Sequence, residues 1–274
     1  MAARAQRQRH DIAEVDELLA ISETFGELIA EDYGVDRRRI RVVPNAIDVE
    51  FFVPGDLPAD EPATILVLGR VVVRKGVEDI VELSHRISDL EGSVRIVIVG
   101  DGSLWSDYRP LLEGLNPGTS QVVSHLSREE VRDRLQRSRL LIQASKYEPF
   151  GLTVGEALAC GVPVIVTEAV GAGEQLDADV ATVVGVADVD ALEAAVRREL
   201  ASGPLDQGRR ELCRSEAIRR YSPAVVGQLA FDAASALGSA KLGVLLASLL
   251  AVALAALLRA VRTRRSRGGT IRSS

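Results

Sequence analysis

Aromatic residues are scarce: Phe, Trp and Tyr together make up 4% of the 274 residues. The core must therefore be built from Val, Leu, Ile and Ala, and a hydrophobic content of 47% supplies enough of them for one large domain or two small ones. Cysteine is nearly absent. Cys160 sits at the end of an apolar helical pattern and reads as a small core residue, while Cys213 lies in a charged helical stretch. Two such cysteines make neither a disulfide framework nor a metal site. The three histidines, His10, His85 and His125, have no ligand spacing either. A reduced, cytosolic, metal-free body is expected. The N-terminus carries charge but no apolar stretch, so no secretory signal is expected. Basic charge is short outside the C-terminal tail. Residues 259–274 hold six arginines (Arg259, Arg262, Arg264, Arg265, Arg267 and Arg272) and no acid, so removing them from the net −6 leaves −12 on the rest. An acidic body of this kind excludes general nucleic-acid binding. There is no internal repeat, which excludes a solenoid.

What is present is an alternation. From Thr64 onward, short runs of Val, Ile and Leu alternate with amphipathic segments. Strands are expected at 64–69, 94–99, 120–124, 139–143, 163–166 and 181–184. Helices are expected at 76–90, 104–115, 127–137, 151–160 and 188–201. This order predicts the α/β class, a doubly wound parallel sheet covered by helices on both faces. Two C-terminal helices should follow, near 205–220 and 223–238. Upstream, Glu17–Ser22 reads as a short buried strand, Glu23–Tyr33 as a helix capped by Ser22, and Ile40–Val43 as a further strand ended by Pro44-Asn45.

The densest chemistry lies in Glu148-Pro-Phe-Gly-Leu-Thr-Val-Gly-Glu156, which runs on through Ala157-Leu-Ala-Cys-Gly-Val-Pro-Val164. Glu148 should stand in the loop before a helix, and Glu156 about one and a half turns inside it. Both then face a crevice at the carboxyl end of the sheet, where open α/β folds bind ligands. A polyhydroxyl ligand suits such a pair, because each carboxylate accepts two hydroxyl hydrogen bonds. The bare spacing also fits a surface helix with two solvated glutamates; the residues around it favour the crevice. Arg70 ends one strand, with Lys75 in the loop beyond it, and two cations there can neutralise a diphosphate. Arg74 is a weaker candidate. Gly100-Asp-Gly102 permits a tight turn and close ligand approach, as would an ordinary βα turn. Ser145, Lys146, Phe150, Gly151 and Leu152 line the next βα turn, whose backbone N–H groups can hold an anion at the helix N-terminus.

Taken in order, these segments resemble the glycosyl transferases of group 1, the large retaining GT-B group called family 4. Val43-Pro-Asn-Ala-Ile-Asp48, with Phe51, Phe52 and Pro54, resembles the family's interdomain linker. Leu66-Val-Leu-Gly-Arg70 with Arg74-Lys-Gly76 resembles its diphosphate-binding strand and loop, and Ile98-Val-Gly-Asp-Gly102 its second strand and turn. The resemblance covers roughly residues 15–235. It implies a Rossmann-like C-terminal, donor-binding half that takes a nucleotide-diphosphate sugar. Transfer of a hexose with retention of configuration would follow, without metal or cofactor. By resemblance Arg70, Lys75 and Glu148 are catalytic. Gly69, Gly100, Gly102, Ser145, Phe150, Gly151, Leu152 and Glu156 bind the donor, with Glu148 on sugar hydroxyls and Glu156 on the ribose. The base belongs near the 122–127 turn. The Gly-rich turn Val170-Gly-Ala-Gly-Glu174 either approaches the donor or is a flexible surface loop. The family pattern also divides the chain: 1–50 as a remnant of the N-terminal domain with the linker, 51–205 as the nucleotide-sugar domain, 206–238 as C-terminal helices, and 239–274 as a terminal apolar helix and tail. The acceptor-binding half is expected to come from elsewhere, such as a separate N-terminal GT-B half. The alternative function is a non-catalytic or split-enzyme subunit that binds nucleotide sugar or a partner protein.

Residues 242–258 are apolar or Ala except for Gly243 and Ser248, with Lys241 before them and the arginines after. A helix of this length spans about 25 Å, at the short limit for a bilayer core. The flanking charges point to a membrane helix, with the donor site at the cytoplasmic face of the membrane.

Overall fold

The computed structural model describes residue 12 and residues 15–56, 62–100, 109–124, 126–236 and 242–243. Gly102, the arginine tail and the stretch 244–258 lie outside the described residues. The chain divides into two compact units, one of residues 47–219 and one of residues 1–46 with 220–274. Residues 206–219, expected among separate C-terminal helices, belong to the first of these.

The unit of residues 1–46 with 220–274 begins with β1 (Glu17–Ala20), α1 (Glu23–Tyr33) and β2 (Ile40–Val42). The Ser22 hydroxyl caps α1 by accepting from Phe25 N, and Gly34 ends it in the left-handed conformation. β1 and β2 pair in parallel through Leu18 with Ile40 and Ala20 with Val42.

Residues 47–219 carry the sheet. Its strands are β3 (Ala63–Leu68), β4 (Val94–Val99), β5 (Ser120–Val123), β6 (Leu140–Gln143), β7 (Val164–Thr167) and β8 (Ala181–Val184). All pair in parallel, in the order β5-β4-β3-β6-β7-β8. The helices are α2 (Val77–Arg86), α3 (Arg109–Leu112), α4 (Arg128–Gln136), α5 (Leu152–Ala159), α6 (Val189–Ala201) and α7 (Gln207–Tyr221), the last ending just beyond this unit. The expected doubly wound Rossmann-like sheet is present. Ile65, Ile96, Leu140 and Ile142 pack with Ile80 and Leu83 of α2 and Leu192 and Val196 of α6, all nearly or fully buried. β6 and β7 are buried along their whole length because helices cover both faces. The order of the strands reverses between β3 and β6, so their carboxyl ends open a crevice at the topological switch point.

Some elements differ from the sequence reading. The helix expected over 76–90 is α2 followed by a 3-10 turn at Ser88–Leu90, because Ile87 turns out of the helix into the core and is fully buried. Of the helix expected over 104–115, the described part is the single turn α3. Cys213 is fully buried in α7 despite its charged neighbours, and burial pushes its thiol up to about 12.

The linker segment is stitched onto this unit. The Arg214 guanidinium donates to the carbonyls of Val49, Phe52 and Ala159 at 3.0–3.1 Å. Arg210 donates to Gly55 O at 2.6 Å, and Gln136 to Val53 O at 2.9 Å. These bonds fix Asp48, Phe51 and Phe52 on the body.

The remaining elements of the other unit are α8 (Pro223–Ala236) and β9 (Leu242–Gly243). Leu19 and Val43 pack with Val226 and Ala233 of α8. Leu242 and Gly243 are extended rather than helical and pair in parallel with Glu17 and Leu18. The edge of β1 offers unpaired backbone groups, and these two residues take them. Among the described residues, no helix is long and apolar enough to cross a membrane.

Gly76, at φ +63°, marks one of the two tightest backbone approaches of the sheet unit. A Cβ there would stand 1.9 Å from the Ala144 carbonyl oxygen. Gly92 has a similar φ of +82° but open space around it. Gly76→Ala should therefore lower stability by more than about 2 kcal/mol, against about 1 kcal/mol for Gly92→Ala. Parallel thermal melts of the two variants check this; equal losses would show that the close approach is not tight.

Candidate functional site

The site is built where β3, β4 and β6 end. Gly69 follows β3 with φ +141°, and Gly100 follows β4 with φ +155°. A Cβ on Gly100 would lie 1.9 Å from the Gly69 carbonyl oxygen, so the two strand ends touch backbone to backbone. Arg70 follows as an exposed residue. The chain then makes a 3-10 turn, Val73–Lys75, closed by left-handed Gly76. Because Gly76 abuts Ala144, the turn is pressed against the end of β6, and Lys146 N donates to Arg74 O at 2.8 Å.

That contact brings Lys75 to Glu148. Lys75 Nζ donates to Glu148 Oε2, with the side chains 18% and 15% exposed. The pair is largely screened from solvent, where an ionic contact is stronger than at an open surface. Glu148 is held from behind. Its N–H donates to Ala169 O at 3.0 Å, and its carbonyl accepts from Gly171 N at 3.0 Å. The 170–174 turn, for which a flexible loop was one expectation, is a 3-10 turn with Gly171, Ala172 and Gly173 all buried. Its Ala172 N–H donates to the Phe150 carbonyl at 2.7 Å, and the Phe150 ring is buried. Gly151 then opens α5 at φ +98°, with no side-chain cap on the helix N-terminus. A Cβ there would meet Gln143 and Val170 at 3.0 Å. Below it, Gln143 Oε1 accepts from the Thr153 hydroxyl at 2.9 Å, while Gln143 Nε2 and Ser145 Oγ are buried without a hydrogen-bond partner.

Two cavities meet at Gly69 and Arg70. One, of about 20 Å³, is bounded also by Lys75, Gln143 and Ser145. The other is an open cleft of about 430 Å³, bounded by Gly100, Ser124, Leu126, Arg128, Phe52 and Glu156. That volume suits a small-molecule ligand. Burial pushes the Glu156 carboxyl up to about 7, against the pull of the Arg128 charge. Burial and the nearby Glu156 charge raise the Cys160 thiol to about 12, so it is no nucleophile near neutral pH. Among the described residues, no cluster of three His, Cys, Asp or Glu side chains is placed to hold a metal ion.

The structure thus gathers most residues singled out from the sequence. Gly69, Arg70, Gly100 and Glu156 share the large cleft, and Lys75 and Ser145 share the small cavity. Glu148 joins them through Lys75. Phe150 supports the 170–174 turn, and Gly151 and Leu152 form the start of α5. Arg74 reaches the Tyr147 carbonyl at 3.5 Å, and Lys146 pairs with Glu78 at 3.5 Å. Gln143 and Arg128 were not picked out. Gln143 is a lone polar residue in an apolar strand, a signal the sequence did carry. Arg128 had none, since it reaches the cleft only through the fold.

A Rossmann-like half with a cationic and carboxylate-bearing crevice at its switch point defines a class of nucleotide-binding α/β proteins. The family profile described as glycosyl transferases group 1 matches residues 50–219, more than half of the chain, and the chain belongs to that family. It is 29% identical to the phosphatidylinositol N-acetylglucosaminyltransferase gpi3 subunit of Schizosaccharomyces pombe, over 60% of this chain and 37% of that protein. It is 30% identical to glycogen synthase of Mycobacterium tuberculosis, over 69% of this chain and 46% of that one. The chain thus spans less than half the length of these relatives. In fold it matches the Anabaena HepE protein in complex with UDP, with a TM-score of 0.69 at 16% identity, covering 81% of this chain and 64% of that one.

Glu156 leaves a pH signature. Its folded pKa, about 7, lies above the ordinary value of 4.5. Between these values the native state binds more protons than the unfolded state, so stability falls as pH rises through that window. Glu156→Gln removes the effect. The variant should melt close to the parent at pH 4.5 and above it at pH 8, by a margin on the order of 3 kcal/mol at most. Melting curves across pH check this, and a parent-to-variant difference that does not grow with pH would contradict the buried acid.

Proposed function

We propose that the chain is the donor-binding half of a retaining glycosyltransferase that moves a hexose from a nucleotide-diphosphate sugar to an acceptor. The observation that carries this reading is the Lys75–Glu148 pair at the end of β3, next to a cleft bounded by Arg70 and Glu156. Arg70 and Lys75 neutralise the diphosphate and stabilise it as it leaves. The N-terminus of α5 adds backbone N–H groups without need of a metal. Glu148 then accepts hydrogen bonds from sugar hydroxyls, and Glu156 from the ribose. In the reaction the bond from the anomeric carbon to the phosphate oxygen breaks, and a bond to the acceptor oxygen forms on the same face. The acceptor proton passes to the departing phosphate oxygen. Glu148 and Glu156 act in binding, so the paired-carboxylate scheme of hydrolases does not apply. The donor requires no separate cofactor. The acceptor is a glycan, lipid or small molecule, held by an N-terminal half on this or another polypeptide, which also excludes water from the cleft.

A second reading, in which the chain binds nucleotide sugar as one component of a larger assembly, is favoured by the name of the Schizosaccharomyces pombe relative, which calls that protein a subunit. Both readings require donor binding. Titration calorimetry of the 274-residue chain with UDP-, GDP- and ADP-sugars should show saturable binding of at least one. Lys75→Ala should weaken it more than tenfold, roughly 1.4 kcal/mol. No binding by a folded chain would overturn both readings. Product formation once an acceptor-binding half is added separates the two.

We further propose that the work is done at the cytoplasmic face of a membrane, attached through 244–258 and the tail arginines. The six tail arginines favour anionic lipid. The chain should co-float with phosphatidylserine vesicles. It should also remain in part with neutral phosphatidylcholine vesicles, where only apolar insertion holds it. Absence from both would sink the attachment.

A further inference from the structure

Arg128 is the first residue of α4, directly after the Ser127 cap, and it bounds the large cleft together with Glu156. Three neighbours hold its guanidinium. It lies 4.1 Å from the Phe51 ring centroid and 5.3 Å from that of Phe52, and its Nη2 is 2.9 Å from Asp48 Oδ2. Phe51 and Phe52 are themselves locked edge to face at 5.0 Å. Arg128 is an exposed residue, and the two rings with Asp48 restrict the rotamers its side chain samples. Asp48 takes one N–H of the five in the guanidinium fork.

Its place along the cleft says what it faces. The strands run in the order β5-β4-β3-β6, with Arg70 and Lys75 at the β3 and β6 end. The cleft extends from there across Gly100 to Ser124 and Leu126 beyond β5, where α4 begins. In the nucleotide-sugar reading, a diphosphate held at Arg70 and Lys75 leaves its nucleoside to the larger cleft, which Glu156 and Arg128 both bound.

We propose that Arg128 is a specificity-determining residue that reads a nucleobase whose outer edge carries carbonyl acceptors, as uracil and guanine do. The inference rests on the nucleotide-sugar reading of this cleft. A guanidinium fork only donates. It matches the O4 of uracil or the O6 and N7 of guanine. Adenine places an amino donor beside its acceptor, and the fork meets that donor unfavourably. The same charge also acts against the burial that raises the Glu156 carboxyl.

The test compares Arg128→Lys and Arg128→Met with the parent, titrating UDP, GDP, ADP and inorganic pyrophosphate. Lysine keeps the positive charge over Phe51 and the pairing with Asp48 but cannot present two parallel donors. The parent should bind UDP or GDP better than ADP. In Arg128→Lys that preference should fall roughly tenfold, while ADP and pyrophosphate change less than about twofold and the melting temperature holds. Arg128→Met should lose the preference as well. An unchanged ratio in both variants, equal weakening of all four ligands, or a parent that prefers ADP would overturn the assignment while leaving nucleotide binding intact. A parent that binds no nucleotide would overturn both it and the donor-site reading.

Discussion

The site depends on backbone packed directly against backbone where the central strands end. Gly76 lies on the Ala144 carbonyl and Gly100 on that of Gly69, each at a distance that leaves no room for a side chain. These two contacts pull the turn after β3 onto the ends of β4 and β6. Only then does Lys75 reach Glu148 from a position 73 residues away in the chain. The parallel sheet supplies the need for this packing. Its crossovers bring successive βα turns to one edge, and a crevice narrow enough to bind a small molecule forms only if those turns approach closely.

Electrostatics then differentiates the groups so gathered. Lys75 and Glu148 neutralise each other in a screened position, so neither is left as an unpaired buried charge. Among the described residues, Glu156 has no such ion-pair partner. Its cleft wall raises it to about 7, and the Arg128 charge is the opposing influence. One carboxylate thus has a cation directly against it, while the other, raised to about 7, sits close to its titration point at neutral pH. In the glycosyltransferase reading the first meets a sugar beside a diphosphate, and the second meets a ribose. Ala169 and the 170–174 turn, with buried Phe150, serve this arrangement from behind: the Ala169 carbonyl accepts from the Glu148 N–H, and the Gly171 N–H donates to the Glu148 carbonyl.

The linker residues extend the site beyond the sheet. Arg210 and Arg214 of α7 and Gln136 of α4 hold six carbonyls between them in the linker and the end of α5, which seats Phe51, Phe52 and Asp48 beside α4. The aromatic pair becomes the platform for Arg128. In a chain so poor in aromatic residues, two consecutive phenylalanines in this position supply a rigid surface that aliphatic side chains cannot.

Much of this was legible from residue order. Period and composition located the six strands of the main sheet to within a residue or so, because runs of Val, Ile and Leu between amphipathic helices have few alternatives to a buried parallel strand. The Ser22 cap, the glutamate pair and the glycines at strand ends were visible for a similar reason: their chemistry is local. The burial of Cys213 was not legible because its neighbours along α7 are charged, and burial depends on which helix face meets the body. The 170–174 turn was ambiguous because a Gly-rich segment is flexible in isolation and rigid once its N–H groups find partners. Arg128 was missed because nothing in its spacing marks a site, whereas Gln143 did carry a signal, as a lone polar residue in an apolar strand. The sequence by itself determined the elements, their parallel arrangement and the residue types at each strand end, all consequences of local propensity and hydrophobic period. Only the tertiary structure decided which of those ends touch. The pairing of Lys75 with Glu148, the raised pKa of Glu156 and the seating of Arg128 each arise from distances between segments far apart in the chain, and a linear pattern does not encode such distances.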